Sequence, residues 1–254
     1  MKAIHRLLCS FLAVTLTIPL VIGVNASEPT KVVDGIISVQ DIPNEVIQNL
    51  PHGAKLELQG TESTVISVNE IYTDFDSNQE SDRLMPTSDF KLTVVAARMG
   101  VGEAQAAGIL RRPGYKFTAV GQWIVNPNYE FTDCMSLCWS DGFSLAKEVG
   151  YTYSYNTGKL DFDSVTLNKI DNEAGIAYDV DLKLFDRQDE IVLSACVAGD
   201  INIHGTANIS TQYAHSMLSL SKIHVSFKDG QAVFTVGGSE RLEYASPSYA
   251  YFEY

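Results

Sequence analysis

The feature that most constrains the fold is an apolar residue at every second position, repeated in runs from about residue 89 onward. A period of two is typical of a β-strand with one buried face. The clearest run places Ile176, Tyr178, Val180, Leu182 and Leu184 on one face, with Asp179 and Asp181 facing water. Similar runs begin at Phe90, Tyr115, Met135 and Ile191, the last continuing through Ile201 and Ile203. These runs predict a mainly β chain and an antiparallel β-sandwich, with a flattened β-barrel as the alternative.

The strongest local prediction is a β-hairpin turning at Asp229-Gly230. A two-residue Asp-Gly loop favours the turn type that matches the twist of paired strands. It places Val225 opposite Phe234 and gives the hairpin one apolar face throughout.

Residues 27–88 have a mixed pattern, unlike the strand runs that follow them. They predict a small N-terminal α+β segment before a sandwich domain at 89–254. Asp41–Leu50 has the apolar spacing of a short helix, and two strands are expected at Ala54–Leu58 and Thr64–Tyr72. An acidic loop then extends to residue 88. Gly100–Leu110 is the other stretch with helical character.

Residues 1–26 have the pattern of a secretory signal peptide. A basic head with Lys2 and Arg6 precedes the apolar run Leu7–Val24, and the small-residue pattern predicts cleavage after Ala26. The apolar run is near the lower limit for a membrane span. Pro19 and Gly23 favour cleavage instead, so we expect a secreted or extracellular protein with no membrane span after cleavage.

The chain is acidic, with a formal net charge of −13. The field of such a chain opposes binding to nucleic acid or to an anionic membrane. We therefore expect no nucleic-acid partner.

Three cysteines follow the predicted cleavage site: Cys134, Cys138 and Cys196. Cys134 and Cys138 are four positions apart in a predicted strand, a separation of about 13 Å, whereas a disulfide needs Cα atoms within about 7 Å. Any disulfide must then include Cys196, and Cys138–Cys196 is the favoured pair. The alternative is three reduced, buried cysteines.

The acidic loop contains the only candidate calcium ligands, Asp74, Asp76, Asn78 and Glu80. Oxygen ligands at alternate positions are how calcium loops present carboxylates. The loop lacks the glycine and glutamate that an EF-hand requires, and a solvated acidic loop is the alternative. No other cofactor is expected.

Asp200, Asn202 and His204 alternate along the end of a predicted strand. Convergent side chains of these types hold metals or activate nucleophiles, but strand neighbours about 7 Å apart rarely share one metal. A water-facing strand surface is the alternative.

Tyr151, Tyr153 and Tyr155 line one face of another predicted strand. Exposed tyrosine rings can stack against sugars because each has an apolar face and a polar tip. Packing against the sheet is the alternative. Tyr249, Tyr251, Phe252 and Tyr254 form a second aromatic cluster.

No nucleophile elbow, zinc-protease motif, P-loop or dinucleotide motif occurs in the sequence. The sequence therefore predicts a non-catalytic extracellular binding or structural protein at a cell surface or matrix, with a protein or glycan partner. The alternative is a secreted polysaccharide or cell-wall hydrolase that uses paired carboxylates such as Asp161/Asp163 or Asp179/Asp181.

Overall fold

Two antiparallel β-sheets pack face to face, which confirms the predicted β-sandwich. The computed structural model describes residues 42, 44–73, 75, 89–125, 127, 131–182, 189–217, 222–237 and 242–254. The predicted signal peptide and its cleavage site after Ala26 lie outside these residues. The sheets do not close into a barrel, so the barrel alternative is wrong.

The helices are short and the strands are numerous. The helices are α1 Asn44–Gln48, α2 His52–Leu58 and α3 Val101–Ala106. The strands are β1 Thr64–Thr73, β2 Phe90–Arg98, β3 Gly114–Trp123, β4 Thr132–Trp139, β5 Phe143–Ser154, β6 Lys159–Asp161, β7 Val165–Asp171, β8 Gly175–Asp181, β9 Glu190–Gly199, β10 Thr206–Ser216, β11 His224–Lys228, β12 Gln231–Thr235, β13 Leu242–Tyr244 and β14 Ser248–Glu253. Among the described residues, no helix is long and apolar enough to span a membrane.

Sheet 1 has the strand order β1-β2-β3-β9-β5-β6, and sheet 2 has the order β13-β10-β4-β8-β7. Strand β14 belongs to sheet 2 and pairs with β10 along the half of that strand that β13 does not reach. Strand β1 comes from the predicted N-terminal segment and pairs with β2. The predicted domain boundary between residues 88 and 89 stays a prediction.

The core lies between the sheets and is built by the alternation read from the sequence. Phe90 and Phe117 point inward from sheet 1, and Leu137, Trp139 and Ile176 point inward from sheet 2. Each of these side chains is at most 1% exposed. Because burial of such side chains contributes roughly 1.5–3 kcal/mol each, this core dominates the stability of the fold.

Strands β11 and β12 form the predicted hairpin, and its register is confirmed by the pairing of Val225 with Phe234. The hairpin lies on the outer face of sheet 2, where its apolar face packs against the small residues Cys134, Ala177 and Ala214. We call it the hairpin cover. Small side chains on the sheet leave the space that the hairpin residues fill.

Helices α1 and α2 lie on the outer face of sheet 1, and we call them the helical cover. The expected strand at Ala54–Leu58 is wrong, since these residues belong to α2. Leu50 lies in the turn before α2, and Ala54 and Leu58 are four residues apart in the helix, which aligns these two on one side. That side packs against Val192 of β9.

The last part of the predicted strand from Ile191 to Ile203 is also wrong. Strand β9 ends at Gly199, and the chain then turns before β10 begins at Thr206. Ile201 and Ile203 are consequently 59% and 40% exposed instead of buried. The next subsection shows that this turn forms one wall of a cleft.

Candidate binding surface

Strand β14 presents a polar and aromatic outer face because of its pairing with β10. Ala250 and Phe252 point into the core. The alternate positions Tyr249, Tyr251 and Glu253 therefore point to the outer face of sheet 2. The second aromatic cluster of the sequence is thus divided between the core and the surface.

We call Tyr249 and Tyr251 the tyrosine strip. Their ring centroids are 6.3 Å apart and their planes differ by 19°, so the rings lie nearly parallel. Tyr251 is 48% exposed, and the hydroxyl of Tyr249 accepts a hydrogen bond of 3.1 Å from Nε2 of Gln231. Partial burial raises the pKa of both tyrosines, so both hydroxyls are protonated at neutral pH.

The strip leads into a cleft at one end of the sandwich, which we call the end cleft. It has a volume of about 260 Å³. Its lining includes Arg98, Tyr115, Ile201, Ile203, His204 and Glu253. Glu253 belongs both to the outer face of β14 and to the cleft, so the tyrosine strip and the end cleft form one continuous surface, the β14 surface.

The turn after β9 shapes the cleft wall. Oδ1 of Asp200 accepts a hydrogen bond of 2.9 Å from the backbone N–H of Asn202, which fixes the turn. An aspartate that bonds the backbone two residues on is a common way to stabilise a turn. The turn holds Ile201 and Ile203 at the surface, where they add apolar area to the cleft.

Asp200 in the lining is held by Asn202, but three other polar side chains of the end cleft have no partner among the described residues. Within the described part of the chain, the side chains of Arg98, His204 and Glu253 make no hydrogen bond or ion pair. Burial raises the pKa of Tyr115, and the nearby Arg98 partly offsets this. The cleft therefore combines apolar walls with a cation, an imidazole and a carboxylate that are available to a ligand.

The interpretation of Asp200, Asn202 and His204 as three alternating strand residues is wrong, because they lie in the turn. Oδ1 of Asp200 accepts hydrogen bonds from the backbone N–H and the side-chain Nδ2 of Asn202. Among the described residues, no group of three His, Cys, Asp or Glu side chains is arranged to hold a metal ion. The candidate calcium ligands Asp74, Asp76, Asn78 and Glu80 lie outside the described residues.

Tyr151 and Tyr153 lie under the helical cover, so the three predicted tyrosines do not form one exposed stripe. Tyr151 is 2% exposed and donates a hydrogen bond of 3.0 Å to Oε1 of Glu57 in α2. Tyr153 stacks on the ring of His52, with centroids 4.2 Å apart. Tyr155 lies just after β5 and is 44% exposed, so the three rings do not share one exposed face, and their stacking on sugars stays a prediction.

A buried carboxylate holds the helical cover on sheet 1. Glu190 of β9 is fully buried, and its oxygens accept hydrogen bonds from the backbone N–H groups of His52 at 3.0 Å and Gly53 at 2.5 Å. Tyr155 donates a third bond of 2.6 Å. The first N–H groups of a helix have no partner within the helix, and here the carboxylate supplies one.

The favoured disulfide between Cys138 and Cys196 is wrong. Cys138 lies under the hairpin cover on the outer face of sheet 2, whereas Cys196 packs beside α3 on the outer face of sheet 1. The sandwich core separates them, and Cys134, Cys138 and Cys196 are all free thiols. Burial raises the pKa of Cys138 to about 12, so this thiol is protonated at neutral pH.

The paired carboxylates of the hydrolase interpretation do not face each other across a cleft. Oδ1 of Asp161 accepts a hydrogen bond of 2.8 Å from the backbone N–H of Asp163, which makes them part of one turn. Asp179 and Asp181 are neighbours on the same face of β8. Neither pair has the opposed geometry that glycoside hydrolysis requires.

Sequence reasoning missed a buried polar network around Asp133. This carboxylate is fully buried and accepts hydrogen bonds from the Tyr213 hydroxyl and, at 2.8 Å, from the backbone N–H of Ser216. Nδ1 of His215 lies 2.8 Å from it. Burial raises the pKa of Asp133, and these bonds partly offset the effect. Since Asp133 and Tyr213 are 0% exposed, the network fastens strands β4 and β10.

No protein-family model matches this chain, and a search of curated proteins gives no match. Among solved structures, a pore-forming protein is 11% identical with a TM-score of 0.36, covering 77% of this chain and 97% of its own. The KRT10-binding region of a pneumococcal serine-rich repeat protein is 8% identical with a TM-score of 0.34, covering 70% of this chain and 99% of its own.

A collagen-binding domain from a Staphylococcus aureus adhesin is 7% identical with a TM-score of 0.30, covering 48% of this chain and 86% of its own. The structural neighbours thus include binding domains of adhesins and a pore-forming protein. All three TM-scores lie below 0.5.

Proposed function

We propose that this chain is a secreted, non-catalytic binding protein that holds a cell-surface or matrix partner on its β14 surface. The observation that carries the proposal is the continuity of the tyrosine strip with the end cleft through Glu253. The exposed ring of Tyr251, the half-buried ring of Tyr249 and the unpartnered polar side chains of the cleft supply both apolar contact and directional bonds. Interfaces are enriched in tyrosine and arginine for this reason.

The charges of the end cleft favour binding over a structural role. Arg98 and His204 make no ion pair or hydrogen bond through their side chains with the described residues, so they add little to the stability of the fold. Their convergence beside the exposed side chains of Ile201 and Ile203 gives a mixed polar and apolar site. Such a composition is typical of recognition sites.

The secreted location rests on the signal-peptide pattern of residues 1–26. The non-catalytic assignment rests on the geometry of the carboxylate pairs, which lie in a turn or on one strand face. Both supports are independent of the β14 surface.

The proposal is tested by surface plasmon resonance of the mature protein over purified matrix proteins and cell-wall polysaccharides. We expect the double variant Arg98→Ala/His204→Ala to bind a recognised partner about tenfold more weakly, which corresponds to about 1.4 kcal/mol. Because both side chains lack partners in the fold, the melting temperature should stay unchanged.

The matched control is Lys159→Ala/His224→Ala, which removes the same number of basic side chains from exposed positions outside the cleft. This control should bind as the wild type does. Equal binding by both double variants, or binding of no partner by the wild type, would contradict the proposal.

A further inference from the structure

The end cleft carries positive charge at the side formed by sheet 1. Arg98 and Tyr115 are paired at the last position of the β2–β3 register, so both side chains lie on the inner face of that sheet. Arg98 partly offsets the effect of burial on the pKa of Tyr115, which places the guanidinium group near this ring. Arg98 therefore presents a cation at the mouth of the sandwich.

Negative charge lies at the Tyr254 side of the same cleft. Glu253 ends β14 directly before Tyr254, and Asp200 lines the cleft from the turn after β9. Burial raises the pKa of Tyr254, and the nearby Tyr115, Asp200 and Asp141 raise it further. A ligand in the cleft consequently meets a cation on one side and carboxylates on the other.

The two signs do not neutralise each other within the fold. Arg98 forms no ion pair with Glu253 or Asp200, although all three side chains line the cleft. Asp200 uses Oδ1 for Asn202, and its Oδ2 atom makes no hydrogen bond with the described residues. The charges of the cleft are thus both separated and available.

Apolar walls and a small volume further restrict the ligand. Ile201 and Ile203 are exposed in the turn, where they line the cleft beside the ring of Tyr254. The volume of about 260 Å³ lies below the range of about 300–1,000 Å³ that is typical of pockets for drug-sized molecules. The cleft therefore suits a small ligand with an apolar body.

The charges exclude three simple kinds of ligand. Glu253 and Asp200 would repel a purely anionic ligand, and Arg98 would repel a purely cationic one. An uncharged ligand would remove water from these charged groups without pairing them, which costs free energy. A small zwitterion with an apolar body avoids all three costs.

From this complementarity we propose that the end cleft binds a free α-amino acid with an apolar side chain, of about the size of leucine. The carboxylate of the amino acid lies against Arg98, whose planar group pairs with carboxylates through two parallel hydrogen bonds. Its ammonium group donates to Glu253 and Asp200, and its side chain covers Ile201 and Ile203. This ligand goes beyond the proposed function, because it is a small molecule and not a cell-surface partner.

The test is an NMR titration of the isotope-labelled mature protein with leucine, followed at the backbone amides of Asn202 and Gly205 in the cleft wall. We expect a Kd of about 1 mM or tighter. Leucinamide lacks the carboxylate, isocaproate lacks the ammonium group and glycine lacks the apolar side chain. Each of these three probes should bind at least about tenfold more weakly than leucine.

Two variants assign each charge of the ligand to its partner. Arg98→Gln should weaken the binding of leucine about tenfold but should not weaken that of leucinamide. Glu253→Gln should weaken the binding of leucine and leave that of isocaproate no weaker. The matched controls Lys159→Gln and Glu173→Gln remove exposed charges outside the cleft and should bind leucine as the wild type does.

Several outcomes would overturn the inference. These are no binding of leucine at about 10 mM, equal binding of leucine and isocaproate, and leucine binding that Arg98→Gln leaves unchanged. The dipeptide leucyl-leucine separates the ammonium group from the carboxylate by one further residue, and tighter binding of this dipeptide would show that the ligand is a peptide instead.

Failure of this inference and failure of the proposed function are distinguishable. If leucine does not bind but a purified matrix partner binds in an Arg98- and His204-dependent manner, the amino-acid inference is overturned and the proposed function stands. If leucine binds as expected and no matrix or cell-wall partner binds, the inference stands and the proposed function is overturned.

Discussion

The outer faces of the two sheets are both covered, but they are covered by different means. The helical cover on sheet 1 is anchored by the buried carboxylate of Glu190, which accepts two backbone N–H groups of α2. The hairpin cover on sheet 2 is anchored by apolar side chains such as Phe234, which pack on small residues of the sheet. One cover depends on a single polar group, whereas the other depends on a distributed apolar contact.

Each cover also has a carboxylate beneath it, and the two differ in their partners. Glu190 has two backbone donors and a tyrosine hydroxyl. Asp179 accepts one bond of 2.6 Å from Nδ2 of Asn168, which also donates to the carbonyl of Ile223 at the start of the hairpin. We therefore expect polar substitutions to release the helices and apolar truncations to release the hairpin.

The largest expected effect is that of Glu190→Ala. It removes three hydrogen bonds to a charged group and leaves buried N–H donors without a partner, at a cost of about 4 kcal/mol in the free energy of unfolding. Urea denaturation measures this loss. Limited trypsin digestion should show faster cleavage at the exposed Lys55 in α2.

Two control variants sharpen this prediction. Tyr155→Phe removes only one of the three bonds and should cost about 1 kcal/mol. Glu173→Ala removes an exposed glutamate and should change the stability by less than about 0.5 kcal/mol. A Glu190→Ala variant as stable as Glu173→Ala would show that the carboxylate does not anchor the helices.

The next effect in size is that of Phe234→Ala in the hairpin cover. Truncating this buried ring should cost about 3 kcal/mol. Cys134 and Cys138 are 0% exposed beneath the hairpin, so a thiol reagent should label them faster in this variant. The partly exposed Cys196 serves as an internal reference on the other sheet.

Val233→Ala is the matched control, because Val233 lies next to Phe234 on β12 and is 43% exposed. It should leave the labelling of Cys134 and Cys138 unchanged. If Glu190→Ala exposed these two thiols as strongly as Phe234→Ala, the two covers would not be independent.

The sequence predicts those features of the two covers that depend on residues close together in the chain. The register of the hairpin was predictable because Asp229-Gly230 fixes the turn and the turn fixes the pairing of Val225 with Phe234. The face of the sandwich that the hairpin covers was not predictable, because a period of two shows which residues share a face but not what lies over it.

The same limit explains the error at the tyrosines. Alternation correctly placed Tyr151 and Tyr153 on one face of β5, but their burial depends on α2, more than ninety residues earlier in the chain. At the β14 surface, the tyrosines are on the side that reaches solvent, and the sequence did not show this either. Tyr249 and Tyr251 alternate with Phe252 in the sequence, yet only the pairing of β14 with β10 shows which side reaches solvent.

The smallest expected effect is a pH dependence of the stability that arises from Asp179, the carboxylate under the hairpin cover. Burial raises the pKa of Asp179, and the bond from Asn168 and the nearby Lys222 partly offset this. Because the folded pKa of Asp179 lies above its ordinary value of 3.8, the stability contributed by Asp179 is fully present below that value. It is lost as the pH rises through the folded pKa.

The comparison of wild type with Asp179→Asn isolates this contribution. The amide does not titrate, so the wild type should gain stability relative to the variant as the pH falls through the folded pKa of Asp179. Urea unfolding of both proteins across the acidic range measures the difference, with Asp171→Asn at the exposed end of β7 as the control. A difference that is constant with pH, or that grows as the pH rises, would show that burial under the hairpin does not destabilise the ionised carboxylate.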